Sequence, residues 1–249
     1  MRRMIALTLA VLVPFAATVG AAEGNKQLAR VNGTVEYQFH PRDPYKQLFG
    51  SLELPDDALA VTLADSQGLL RLADSSEVDI GAKARVRVGA FNALGSGKPN
   101  VVTVELGAVH FVVRHPAGAR ANYLFVTPTT QIAVRGTEGY LVTGPKGTDF
   151  YCAACAEGDV TMRVGDRTIP LVTGQQVFVN GTDPATAETN VVKEPCTNPA
   201  AIAVSKGKLG NGVPPSQQVD TTGSISADPH RPVSLTPPKP RPTPPGNGY

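Results

Sequence analysis

Cys152 and Cys155 stand three residues apart in FYCAACAEGDV (150–160), the Cys-x-x-Cys spacing of thiol redox enzymes and zinc knuckles. Redox chemistry needs one thiol held as the thiolate, which such enzymes achieve at the start of a helix. No helical pattern follows this pair, and Glu157 and Asp159 would raise a thiol pKa rather than lower it. No histidine follows Cys155, so c-type haem attachment has no support either. On an extended strand three residues span about 10 Å and point the two side chains to opposite faces. A disulfide needs Cα atoms within about 7 Å, so no bridge inside the pair is expected while it lies on a strand.

The remaining reactive side chains are as sparse. Gly-Ser-Gly-Lys at 95–98 has the end of a phosphate loop, but the leading glycine is missing and Pro99 stands where a magnesium-binding hydroxyl belongs. No Gly-x-Ser-x-Gly elbow is present. His110 and His115 are the one close histidine pair; His110 alternates with Val109 and Phe111 and is expected to face away from them, with no ligand cluster beside it. Asp56, Asp57 and Asp65 lie in turn-like sequence, where carboxylates shape turns. No catalytic residue, metal site or cofactor is expected.

Composition places these residues in a compartment. Arg2 and Arg3, an apolar run from Met4 to Val19 and small residues at Gly20, Ala21 and Ala22 make a secretory signal peptide over 1–22. Its apolar core, interrupted by Pro14, is short for a membrane span, and no later segment approaches one. The mature chain is therefore expected to be soluble and periplasmic or secreted, with no integral membrane span. Without Arg2 and Arg3 it carries 21 basic and 21 acidic residues, which removes the electrostatic case for nucleic acid. Twelve of the 22 prolines fall between Pro195 and Pro245, so 183–249 is expected to be a low-complexity, mostly disordered tail after a single domain at 26–182.

The elements that must position these side chains have a period of two. Gly68–Leu72, Glu77–Ile80, Ala84–Val88, Val101–Val104, Val109–Val113, Ile132–Val134, Tyr140–Val142, Val160–Val164 and Gln176–Val179 are short β-branched and aliphatic runs separated by turn pairs. Helical spacing is weak and confined to 44–49 and 200–209. The fold class is all-β. RVNGTVEYQF (30–39), VELGAVHFVV (104–113) and CAEGDVTMRV (155–164) share a glycine, a valine two residues on and a large apolar residue two further. Glycine inside a strand marks a bulge or corner, so Gly33, Gly107 and Gly158 are expected to be recurring corners of a rolled or solenoid-like stack of short strands.

LFVTPTTQIAVRGTEGYLV (124–142), AEGDVTMRV (156–164) and LVTGQQVFV (171–179) together resemble the FecR domain, and VTLADSQGLLRLADSSEVDIGAKARVRV (61–88) resembles its first half. The resemblance runs over roughly 28–180, with Thr-Pro through Arg-Gly-Thr its most specific part. It implies a periplasmic or extracellular β domain, in some members a β-solenoid-like roll, whose best-known relatives sense an outer-membrane receptor and control a sigma factor. The cytoplasmic anti-sigma segment and internal membrane helix of those regulators are not seen here, so sigma-factor control does not carry over. The motif residues are Thr127, Pro128, Arg135, Gly136, Thr137, Glu157, Gly158, Val160, Gly174 and Gln175, as structural groups or partner contacts.

Pro128 suits the start of an edge strand, and Arg135 reads either as a partner contact or as a clamp on nearby carbonyls. In an oxidising compartment one of the paired cysteines is expected to bridge to Cys196. Plain alternation back from Val160 buries Cys152; the glycine repeat, which is favoured, buries Cys155 and leaves Cys152–Cys196 as the bridge, with Cys155–Cys196 the alternative. The function expected is a non-catalytic secreted module binding an envelope protein or polymer. Its alternatives are a component of transmembrane signalling in iron uptake and an enzyme with a cryptic thiol or carboxylate site.

Overall fold

The computed structural model describes residues 25–193 and 196–204. The signal peptide expected at 1–22 and the stretch beyond 204 lie outside the described residues. Among the described residues the period-two sequence folds into 17 strands and one short helix. One sheet contains β1 (Lys26–Asn32), β4 (Ser51–Glu53), β6 (Gln67–Leu72), β7 (Glu77–Ile80), β12 (Thr137–Gly144), β13 (Gly147–Cys155), β16 (Gln175–Asn180) and β17 (Glu188–Lys193). The other contains β2 (Val35–Gln38), β3 (Lys46–Leu48), β5 (Ala58–Thr62), β8 (Arg85–Val88), β10 (Tyr123–Val126), β11 (Gln131–Val134), β14 (Val160–Val164) and β15 (Arg167–Leu171).

β9 (Asn100–Val113) belongs to both sheets. Its first half pairs with β8 and β10, and its second half, from Gly107, pairs with β7 and β12. The first sheet therefore runs β4-β1-β6-β7-β9-β12-β13-β16-β17 and the second β3-β2-β5-β8-β9-β10-β11-β14-β15. Every pairing is antiparallel except β9 with β10. The two inner faces close on one apolar core, in which Phe111 of the first sheet stacks on Phe125 of the second with ring centroids 4.2 Å apart.

The three repeated glycines mark three of the places where the chain changes sheet. Gly33 lies between β1 and β2, Gly107 at the midpoint of β9, and Gly158 between β13 and β14. Their φ angles are +62°, +91° and +79°, a region open to glycine and strained for other residues. The valines that follow, Val35, Val109 and Val160, are fully buried, as are Phe111 and Met162 two residues further. Each corner thus turns the chain and immediately commits its valine to the shared core, with Phe111 and Met162 following into it and Tyr37 packing half-buried against it.

Val101–Val104 and Val109–Val113, expected as two strands, are the halves of β9. The helical spacing at 44–49 yields β3 instead, whereas that at 200–209 yields α1 (Pro199–Val204) within the described residues. The boundary expected at 182 falls inside the fold. β17 pairs with β16 along its length, and Cys196, Ala201 and Val204 pack on Ala108, Tyr140 and Val142 on the outer face of the first sheet. No helix among the described residues is long and apolar enough to cross a membrane.

The cysteines pair differently from the expectation. Neither Cys152–Cys196 nor Cys155–Cys196 forms; Cys152 is bonded to Cys155, with Cα atoms 5.9 Å apart, and Cys196 is a free buried thiol. The reason is a β-bulge. Glu138 pairs with Ala154 but Gly139 with Cys152, leaving Ala153 as the extra residue. Alternation that buries Thr148, Phe150 and Cys152 is thereby reset, and Cys155 returns to the same inner face. Both paired cysteines lie in the core, while Cys196 sits across the sheet on its outer face.

Candidate functional site

The motif residues form a structural frame, with two charged side chains left outside it. Thr127 and Pro128 form the hairpin turn between β10 and β11 rather than the start of an edge strand. The Thr127 hydroxyl accepts from the backbone N–H groups of Thr129 (3.3 Å) and Thr130 (3.0 Å), and lies 2.9 Å from the Thr148 hydroxyl on β13. Pro128, which lacks a donor, occupies a turn position that needs none.

Thr137 and Gly174 close on the cysteine bulge from two sides. The Thr137 hydroxyl donates to the Ala154 carbonyl, and the Gly174 N–H donates to the Cys152 carbonyl at 2.8 Å. Thr173 adds a reciprocal pair with Cys155: its N–H donates to the Cys155 carbonyl at 3.2 Å, and its hydroxyl accepts from the Cys155 N–H at 2.8 Å. Gln175 accepts from the Val172 N–H through its side chain and tightens the same turn. A bulge leaves backbone groups outside the ladder, and these residues satisfy them. Val160 is in the core, and Glu157 and Gly158 lie exposed in the turn before it.

Arg135 is held by its main chain. Its N–H donates to the Asp159 carbonyl (2.9 Å) and its carbonyl accepts from Ala121 (3.0 Å). The side chain is exposed and has no hydrogen-bond or ion-pair partner among the described residues, so the carbonyl-clamp reading does not hold. Gly136, at φ +134°, leaves no room for a Cβ because the His115 ring packs against it.

His115 lines a groove of about 250 Å³ between the loops 90–99 and 114–122, next to the Arg-Gly-Thr segment. Lys98, Arg114 and Arg120 line it with exposed side chains; Arg120 stands 4.0 Å from Asp159. The carboxylate in the lining, Asp74, is already engaged by the Tyr123 hydroxyl (2.7 Å) and the Ser76 N–H (2.9 Å). Burial, reinforced by Asp74, pushes the Tyr123 phenol well above its ordinary range and keeps it a donor. The Gly-Ser-Gly-Lys stretch is one wall of this groove; it precedes β9 and opens no helix, so it is not a phosphate loop.

The outer face of the first sheet carries a second polar group that strand register alone brings together. His110 does face away from the core, yet it is fully buried: its ring lies 2.8 Å from both Asp79 and Glu138 and stacks on Tyr140. With both nitrogens engaged by carboxylates, neither is free to take a proton from a nucleophile. Nearby, Asp149 accepts from Asn198 (2.6 Å) and Gln176 (2.8 Å), fastening the segment at 196–204 to the sheet. Burial pushes the Asp149 carboxyl up to about 6 against these two hydrogen bonds. The Cys196 thiol is pushed up to about 12, first by burial and then by Asp149. Among the described residues, no His, Cys, Asp and Glu side chains are grouped to hold a metal ion. Asp79, Glu138, Asp149, Gln176 and Asn198 carried no sequence signal, since each meets its partner only through strand pairing or, for Asn198, through the packing of the segment at 196–204 on the sheet.

Fold and site together define an all-β domain whose recurrent motif builds corners, a hairpin turn and a bulge. Residues 58–161 match the family model described as FecR protein, so this part of the chain is a FecR domain. Gly174 and Gln175 lie beyond the match. No curated protein matches the chain. Two crystal structures of a proposed anti-sigma factor from Parabacteroides distasonis ATCC 8503 are similar to it. They share 15% and 16% identity with TM-scores of 0.46 and 0.47, covering 56% of this chain. The chain spans 61% of the length of those proteins.

Proposed function

We propose that the chain is a non-catalytic FecR-domain module of the cell envelope, periplasmic or secreted, that binds a partner protein through the end of the roll bearing Arg135. The observation that carries this reading is Arg135 itself. Its backbone is fixed at 2.9 and 3.0 Å by Asp159 and Ala121, and its guanidinium is held in solvent beside a groove lined by three cations. A rigidly mounted, unpaired arginine is a group disposed for recognition rather than for stability. Against catalysis stand the Cys152–Cys155 disulfide and the burial of the Cys196 thiol and of His110, which remove these nucleophiles and this base from solvent.

A photo-crosslinking amino acid placed at Arg135 in the full chain, expressed in its native host, tests this. A discrete adduct is expected from position 135 and none from Gln47, which is exposed on the edge strand β3. Equal labelling at both positions, or none at 135, would overturn the proposal.

A further inference from the structure

We infer that the groove between the loops 90–99 and 114–122 takes an extended acidic peptide segment of the partner protein, which rests on the partner-binding reading above. Charge supplies the first argument. Four lysines and arginines on the sheets are matched by carboxylates: Lys26 with Asp56, Arg71 with Glu77, and Arg85 and Arg87 with Glu105. In the groove Lys98 and Arg114 have no such partner among the described residues, and Arg120 has only the 4.0 Å approach of Asp159. Asp74 brings one carboxylate against three cations, and its hydrogen bonds go to Tyr123 and Ser76, so the groove keeps a net positive charge. Two arginine forks and one ammonium around one concavity are complementary to spaced carboxylates, each able to accept a bidentate pair.

Size and lining supply the second argument. A space of about 250 Å³ admits one or two side chains and not the surface of a folded domain. Ala93, Leu94, Pro116 and Ala121 contribute apolar wall between the cations, and Leu94 is 54% exposed. A ligand that combines carboxylates with an apolar side chain satisfies both sets of groups. A nucleic-acid strand fits less well, since single-stranded recognition uses aromatic platforms and no Phe, Tyr or Trp side chain lines the groove. The walls are held in place from beneath: Asn92 donates across the base of its loop, from its backbone N–H to the Asn100 side-chain oxygen and from its side-chain amide to the Pro99 carbonyl, and His115 is seated on Gly136.

The test uses the full mature chain and a fluorescein-labelled peptide, Asp-Glu-Leu-Glu-Asp-Leu-Glu-Glu, read by fluorescence anisotropy. Binding is expected to weaken at least tenfold in Arg114→Glu, to weaken with added salt, and to be unchanged in Arg71→Glu. A Lys/Leu peptide of equal length and an eight-residue oligo-dT are expected to bind at least tenfold more weakly. Unchanged thermal melting of Arg114→Glu separates lost binding from lost fold, and Lys98→Glu gives a second variant. Absence of peptide binding, equal binding by Arg114→Glu and Lys98→Glu, or equal binding of oligo-dT each overturns the inference. Should the crosslink at position 135 form while the peptide fails to bind, the partner-binding reading stands and the acidic-peptide assignment falls.

Discussion

Replacing each corner glycine with alanine separates two costs that the fold imposes differently at Gly33, Gly107 and Gly158. All three hold positive φ, so alanine at any of them meets the left-handed penalty of about 1–2 kcal/mol. They differ in space. A Cβ at Gly107 would stand 2.5 Å from the Ala84 Cβ and 2.6 Å from its Cα, where the crowding atoms include backbone that cannot rotate aside. A Cβ at Gly33 would stand 2.7 Å from the Asp65 carbonyl oxygen. At Gly158 it would meet nothing within 4 Å. Overpacking adds about 1–3 kcal/mol, so Gly107→Ala and Gly33→Ala should cost about 2–5 kcal/mol and Gly158→Ala about 1–2 kcal/mol. Urea unfolding followed by far-UV circular dichroism measures this, with midpoints compared at constant slope. Equal losses at all three sites would show that backbone conformation alone sets the cost and that the corners are not close-packed between the sheets. A larger loss at Gly158 than at Gly107 would refute the assignment of Gly107 as the crossing point of β9.

Phe111→Ala removes the ring that stacks on Phe125 across the sheets and should cost about 3–5 kcal/mol in the same assay; a loss below 1 kcal/mol would mean that the two sheets do not share this contact. Asp149 titrates near 6 in the fold against 3.8 for an ordinary carboxyl, so the folded chain binds the proton more tightly. Its effect therefore favours the protonated fold fully below about 3.8 and is lost as pH rises through 6, a difference of about 3 kcal/mol. Asp149→Asn should lose that pH dependence and gain melting temperature relative to wild type at pH 7.5; an unaltered slope between pH 4 and 6.5 would refute it. Non-reducing peptide mapping should recover Cys152 linked to Cys155, with Cys196 alkylated only after unfolding; any linked peptide containing Cys196 would contradict the bulge.

How much of this was legible depended on whether a feature is local along the chain. Glu77–Ile80 and Val160–Val164 are strands with the bounds that alternation gives them, because a half-buried strand writes its period into four or five residues. The corner glycines were legible for the same reason: one positive φ followed by a buried valine and a second core-facing side chain is a short local pattern. The disulfide was not, since the single extra residue at Ala153 has no signature apart from the pairing of Gly139 with Cys152. β17 was hidden by its composition; ETNVVK is an edge strand with mostly exposed side chains, so it reads like the polar sequence around it. His110 showed its direction but not its burial, because Asp79 and Glu138 flank it from strands 31 and 28 residues away.

The division between frame and groove has a consequence for what this domain can vary. Thr127, Thr137 and Gly174 are committed to backbone groups that would otherwise be buried without partners, so changing them costs the fold before it changes any contact. The loop at 93–98 is under the opposite constraint. Its side chains are exposed, and its base is closed independently by Asn92, whose backbone N–H donates to the Asn100 side-chain oxygen at 2.5 Å and whose side-chain amide donates to the Pro99 carbonyl at 2.8 Å. Replacing 93–98 with Gly-Ser repeats of equal length should therefore shift melting by no more than a few degrees, roughly the effect of 1 kcal/mol in a domain of this size. The same exchange removes Leu94 and Lys98 and should abolish peptide binding in the groove. A large loss of stability would show that the loop belongs to the frame, and recognition would then have to be sought on the loop at 114–122 alone.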